Sequence, residues 1–232
     1  MKKTLLLILL ILPLSLSLFP QDTITANYLR KKDFAEKYSE LKTLYGQEKS
    51  FPSDIELECL VALSHFPELS DTDIEFVYKK FRFTATMKTK PKNNFVFRRK
   101  NTRKYVIHIN NNQGKKQGVN ISNLSFNALV GLIAHELSHI VDYSDRSMFS
   151  ILYVGIRYIT FKKYVKRTER QTDITAIEHG LGYSLYEFKD HLMNSPETSE
   201  KYKNKQAKYY LSPDEVLEYI QKTSESSSIK IQ

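Results

Sequence analysis

Cysteine is almost missing from this chain: Cys59 is the only one in 232 residues. An intrachain disulfide is therefore excluded, and Cys59, set in Glu58-Cys59-Leu60-Val61-Ala62, reads as buried packing rather than a catalytic thiol. No cysteine follows the N-terminal apolar segment either, which argues against a lipid-anchored lipoprotein. A long apolar run beyond that segment is also absent. Residues 148–161 are apolar and aromatic, but they are fourteen long with Arg157 inside, and a spanning helix needs about 20 apolar residues. Two readings of this stretch stand: a buried helix or lid over the site, or a helix dipping into a membrane surface with Lys162, Lys163, Lys166 and Arg167 at the headgroups. The usual preponderance of buried over membrane-facing apolar surface favours packing. Nucleic-acid motifs and internal repeats are lacking too. The formal charge is +9, but the lysines are dispersed, so no nucleic acid is expected as a partner.

What is present starts with a leader. Lys2-Lys3 precede an apolar run from Leu5 to Phe19, and Ser15-Leu16-Ser17 offers small residues for cleavage before Leu18. Residues 1–20 thus read as a signal peptide, and the expected location is the periplasm or cell envelope, with peripheral membrane contact through 148–167 as an option. The rest divides into an N-terminal helical segment (21–73), a core (74–194) and a polar, helical C-terminal arm and tail (195–232). The fold class expected is α+β, a small antiparallel or mixed sheet packed on a helical half.

The chain is organised around residues 125–143, a single helix by its periodicity. Phe126, Leu129, Val130, Ile133, Leu137, Ile140 and Val141 recur at helical spacing, and Ser125 is a fair N-cap. Within it lies His135-Glu136-Leu137-Ser138-His139. His135 and His139, four apart, share a face and can close on one metal ion. Glu136, further round, is placed to act on a water as a base. Burying two unpaired imidazoles and a carboxylate in an apolar helix would be costly without such an ion. Gly131, one turn earlier, leaves room for a strand or substrate to approach the helix backbone.

Before this helix the pattern is β-like. Residues 74–87, 94–98 and 104–110 read as strands, with a turn at 91–94. An edge strand there would hold an extended peptide through backbone hydrogen bonds. Residues 25–45 read as one polar helix and Pro52-Ser53 as the start of another. His65 reads as a capping or surface residue, and His108 is given no role.

After it, residues 168–180 read as a second helix, with Thr168 as N-cap and Gly180 as its stop. Glu169 and Asp173 share a face. Spacing alone leaves open a solvated acidic face or a third metal ligand, Glu169, with an outer carboxylate, Asp173, orienting an imidazole. The H-E-x-x-H motif upstream favours the second. Residues 183–193 read as a helix, 195–210 as a solvated arm, and Ser212-Pro213-Asp214-Glu215 as a capping box opening a short helix to about Gln221. The stretch 224–232 reads as a disordered tail.

With both motifs in hand, the region 105–182 resembles the gluzincin zinc metallopeptidases, and most closely the HtpX and CAAX-prenyl-protease group, which pairs H-E-x-x-H with a downstream E-x-x-x-D helix. The resemblance implies a zincin-like fold. It also implies Zn2+ held by His135, His139 and Glu169, Glu136 as general base, Asp173 as outer carboxylate, and a peptide or protein substrate. Thr172 stands where that group usually has alanine, and its multiple membrane spans are missing. A rival ligand set, His135, His139 and Asp145, has metzincin spacing, but Asp142 occupies the position where that fold needs glycine. Tyr143, Tyr183 and His179 are the candidate oxyanion donors. The alternative from another class is a non-catalytic zinc-stabilised protein of the envelope or a lipid surface, which would have no need of Glu136.

Overall fold

The computed structural model describes residues 24–25, 27–80, 85–92, 98, 102–111 and 118–229. The expected leader with its cleavage point, residues 81–84 of the first β-like stretch and all but the last residue of the strand expected at 94–98 lie outside the described residues. The fold is α+β, with nine helices and four strands among the described residues.

The central element is helix α4, Phe126–Asp145, which is buried from Asn127 through Ile140. Ser125 caps it as expected, its Oγ accepting from the backbone N–H of Ala128 at 3.0 Å. Among the described residues three short α-helices precede it: α1 (Lys31–Ala35), α2 (Tyr38–Tyr45) and α3 (Glu56–Leu63). The single helix expected at 25–45 is thus broken, with a turn between α1 and α2. In α3, Cys59, Leu60, Val61 and Ala62 are fully buried, so Cys59 is core packing. Burial pushes its thiol well above the ordinary range, which leaves it inert.

Strands β1 (Lys49–Ser50), β2 (Asp73–Lys79), β3 (Met87–Pro91) and β4 (Lys104–Asn110) form one mixed sheet in the order β1-β2-β4-β3. β1, β2 and β4 are mutually parallel along the order, and β3 runs antiparallel to β4, with Thr89 opposite Ile107. Ile74 and Phe76 of β2 and Tyr105, Ile107 and Ile109 of β4 are buried in the core. Pro91, expected in a turn, instead ends β3. An edge strand tolerates proline there because the missing N–H leaves no ladder bond unmade.

Beyond α4 come α5 (Met148–Thr160), α6 (Lys162–Ala176), α7 (Gly182–Asn194), α8 (Glu200–Tyr209) and α9 (Pro213–Ile229). Four expectations need correction. α6 starts six residues before Thr168, right after Phe161, whose extended backbone (φ −118°) separates it from α5. Thr168 is therefore interior, and its carbonyl accepts from Thr172. α5 buries only Ile151 and Val154, so the packing reading of 148–161 fails for most of its apolar side chains. α8 is no free arm, since Tyr202 and Gln206 are buried. α9 runs to Ile229, into the stretch read as a tail.

Gly180 does end the second site helix. It sits at φ 80°, in the left-handed region, inside a π-type segment at Ile177–Leu181 that leads into α7. His65 helps to hold that bend, its Nδ1 lying 2.9 Å from the His179 carbonyl. The capping box is formed reciprocally: Ser212 N–H donates to Glu215 Oε2 at 2.9 Å, and Glu215 N–H to Ser212 Oγ at 3.2 Å. Gly131 has the close neighbour expected of it, but that neighbour is α7, not a strand or substrate. A Cβ there would lie 2.2 Å from the backbone C and O of Ser184. A single set of buried apolar side chains joins Leu41 and Leu60, α4, and Tyr202, Leu211 and Val216.

Candidate metal centre

Two helices build the centre, α4 with His135 and His139, and α6 with Glu169 and Asp173. Four-residue spacing puts each pair on one helical face, and the two faces meet. Oε2 of Glu169 lies 3.3 Å from Nε2 of His135 and 3.6 Å from Nε2 of His139. One donor atom from each of the three lies within 4.8 Å of the others. Glu169 is 1 % exposed, and its Oε2 is a buried carboxylate oxygen with no hydrogen-bond partner among the described residues. Its other oxygen accepts from the hydroxyl of Tyr158 on α5. A buried carboxylate oxygen aimed at two imidazole nitrogens, with no hydrogen-bond donor of its own among the described residues, fits a cation held between them.

Each imidazole is oriented from its far side. Nδ1 of His135 lies 2.8 Å from Asp173 Oδ1. Oδ2 of the same carboxylate accepts from Lys189 Nζ and from the Leu211 N–H, both at 3.0 Å. Asp173 is fully buried and its carboxyl is held below the usual range: burial opposes this, but Lys189 and His135 outweigh it. Nδ1 of His139 lies 3.3 Å from Thr172 Oγ1, whose own proton goes to the Thr168 carbonyl at 2.9 Å. With Nδ1–H donated to Asp173 or Thr172, each ring keeps its Nε2 lone pair for a ligand.

The charge balance favours a cation as well. Glu169 and Asp173 are buried carboxylates, and the buried ammonium of Lys189 is paired with Asp173. Burial lowers His135, yet Asp173 and then Glu169 pull its imidazole up to about 10. Glu169 is driven well below the carboxylate range by the two histidines, against its burial. A divalent cation between the three donors would meet the same demand for positive charge.

Glu136 lies on the sheet side of α4. Its Oε2 accepts from the Thr89 hydroxyl of β3 at 2.7 Å, and both side chains are buried. A cleft of about 40 Å³ reaches His135 and Glu136 between Thr86 and Met87, Lys189, Tyr202 and Tyr210. A larger cavity of about 570 Å³ opens between α4, α5 and α6 and includes Thr172, Asp142, Asp145, Arg146, Arg157 and Arg167 in its lining. None of the three donor residues lines the larger cavity, whereas His135 and Glu136 both line the smaller cleft, so the smaller cleft is the one that reaches the centre.

Asp145 lines that other cavity and stands outside the donor cluster. Asp142 forms a two-pronged pair with Arg146 (2.8 and 2.7 Å), and α4 continues through it without the turn the rival set requires. Of the oxyanion candidates, His179 is committed elsewhere, to the Thr175 carbonyl and to Glu68, both at 2.7 Å. Tyr183 is packed against the core. Tyr143 stays close, its ring stacked 6.1 Å from that of His139. Nothing local in the sequence marks Thr89, Tyr158, Lys189 or Tyr210, whose ring lies 5.6 Å from that of His135. Each reaches the site from outside the two ligand helices, whereas Thr172 is marked in the sequence as a departure from alanine. Comparison of the chain with protein-family models, curated proteins and solved structures gives no match in any of the three.

Proposed function

We propose that the chain is a zinc-dependent peptidase of gluzincin type, acting on peptide or protein substrates in the cell envelope. The observation that carries the reading is the convergence of Nε2 of His135, Nε2 of His139 and the partnerless Oε2 of Glu169, with Glu136 one residue away on the same helix. Two nitrogens and one carboxylate oxygen form a three-ligand set that suits zinc and leaves a position open. The ion would supply a Lewis acid that polarises a carbonyl and lowers the pKa of water to about 7.

The protein's own groups do the rest. Asp173 and Thr172 hold the two imidazoles. Thr89 occupies Oε2 of Glu136, which leaves Oε1 free to take a proton from the attacking water and return it to the leaving amine. β3 is the last strand in the sheet order and borders the cleft, so its outer edge suits an extended peptide bound by backbone hydrogen bonds.

The test is metal content of the purified protein, then hydrolysis of an unfolded protein substrate with and without a chelator. The expected result is one zinc per chain and activity lost on chelation. Glu136→Gln should keep the metal and lose at least about a hundredfold in rate, the scale of general-base catalysis. A zinc-loaded, inert wild-type protein would leave a structural metal and sink the peptidase reading.

A further inference from the structure

Large exposed apolar side chains are gathered in one place. Of the eight such residues among the described ones, seven lie at 149–161 and Leu44 lies elsewhere. Scattered singly they would need no explanation, but gathered on one element they mark a contact surface. Helix α5 is two-faced. Ile151 and Val154 point inward, as does the hydroxyl of Tyr158, which bonds Glu169. Phe149, Leu152, Tyr153, Ile156 and Ile159 recur three and four apart and form an outer stripe, with Ile156 63 % and Ile159 88 % exposed. A Cβ added at Gly155 would meet nothing within 4 Å.

The charge along this stretch of the sequence has one sign. Between Arg146 and Thr168 there is no aspartate or glutamate, while Arg157, Lys162, Lys163, Lys166 and Arg167 are all basic. Lys162, Lys163, Lys166 and Arg167 are exposed on the first turns of α6, directly after the stripe. The Arg157 guanidinium lies 5.4 Å from the Tyr153 ring centre and 4.6 Å from that of Tyr164. Thirteen residues make a helix about 20 Å long, and no described helix is long and apolar enough to cross a membrane.

We propose that α5 and the start of α6 form an interfacial element that binds the surface of an anionic lipid bilayer. An apolar face flanked by cations, on a helix too short to span, is the composition that lies in the headgroup plane. Charge complementarity selects this occupant over a second copy of the chain, because a two-fold contact would set the same cations against one another. The inner face of α5 carries Tyr158 to Glu169, so the metal centre sits about one helix diameter, ~10 Å, beneath the docked surface. The lipid-binding assignment stands apart from the peptidase reading, and its test reads binding alone.

The experiment is co-sedimentation of the full chain with vesicles of phosphatidylcholine, alone or mixed with phosphatidylglycerol, at low and high salt. The expected result is binding to the anionic vesicles only, weakened by salt. Ile156→Gln with Ile159→Gln should lower affinity more than about a hundredfold, since two buried isoleucines are removed from the apolar phase. Lys162→Gln with Lys163→Gln should lower it roughly thirtyfold, a factor of about five per lysine. All four positions are exposed, and circular dichroism checks that both variants fold. Binding that both variants retain would come from another segment and overturns the proposal. So does equal binding to neutral vesicles, or no vesicle binding with a dimer in sedimentation equilibrium that the isoleucine changes dissolve.

Discussion

Thr172 sets its hydroxyl 3.3 Å from Nδ1 of His139, the ring nitrogen opposite the one that faces Glu169. Its proton is donated to the Thr168 carbonyl, so its oxygen is left to accept from the imidazole. His135 has a carboxylate, Asp173, in the same role. A neutral acceptor binds the imidazole N–H more weakly than an ionised one. Thr172→Val keeps the shape and removes the acceptor. It should weaken zinc binding roughly tenfold, at the low end of what outer contacts contribute, and Thr172→Ser should restore it. A competitive zinc titration giving equal affinity for the valine variant would show that His139 is oriented by packing alone.

Thr89 acts on the other half of the site. Its hydroxyl is the donor to Oε2 of Glu136, reaching across from β3 at 2.7 Å. In Thr89→Val the carboxylate loses a bond of the charge-assisted kind, about 1.5–3 kcal/mol. The expected outcome is a fall in kcat of roughly ten- to a hundredfold, with KM and zinc content little changed, and recovery in Thr89→Ser. A variant that lost its metal, or changed KM alone, would argue that Thr89 holds the sheet rather than the base.

Much of this centre was legible in the sequence because its donors come in pairs on two helices. His135 with His139 and Glu169 with Asp173 are four apart, and four residues make one helical face whatever the fold around them. The helix α4 was equally plain, since its apolar period and its serine cap agree. What was not legible reaches the site across the fold. Thr89 lies at the sheet edge, Tyr158 on α5, Lys189 on α7, and nothing local marks any of them. The outer face of α5 is not legible for a related reason. Apolar period shows that a helix has a face to cover, not what covers it. α6 starts at Lys162 rather than at Thr168 because the extended Phe161 breaks the chain there and the Lys and Arg residues that follow favour a helix.

Gly131 gives a test of packing. A methyl group there would fall 2.2 Å from the Ser184 backbone and 2.5 Å from the Leu185 nitrogen. These are main-chain atoms of α7, so the helix itself would have to move. Gly131→Ala should therefore destabilise by about 3 kcal/mol, at the upper end of overpacking, despite the better helix propensity of alanine. Denaturant unfolding would check it, and a variant as stable as the wild type would mean that α7 slides freely on α4.

The Arg170–Glu215 pair, with contacts of 2.9 and 2.7 Å, ties α9 to the ligand-bearing helix. Arg170 above all pulls the Glu215 carboxyl down to about 2; burial opposes it, and the Ser212 N–H adds to the lowering. A carboxyl whose folded pKa is depressed contributes stability that is present above about pH 4.5 and is lost as pH falls toward 2. Glu215 is 38 % exposed, so solvent screening keeps the contribution near 1 kcal/mol. Glu215→Gln should thus melt roughly 2–4 °C below the wild type at pH 7, with the gap closing in acid. A gap independent of pH would assign the effect to the capping box rather than to charge.

The ligand set itself is decided by three substitutions. Glu169 supplies the buried oxygen that faces both imidazoles, so Glu169→Ala leaves two nitrogens to hold the ion and should lose bound zinc. Asp145 lies away from them, on the cavity between α4, α5 and α6, so Asp145→Ala should retain it. Asp173→Asn should fall between the two. It keeps an acceptor for His135 Nδ1–H but removes the charge that faces Lys189, so affinity should drop roughly ten- to a hundredfold. It should also cost stability, because Lys189 would be left as a buried ammonium without its counter-ion, a loss of about 3–5 kcal/mol. Zinc titration and unfolding of the same three proteins separate these effects. Loss of metal from Asp145→Ala with retention in Glu169→Ala would overturn the His135, His139 and Glu169 assignment, because the spacing that brings α6 to α4 would then serve packing alone.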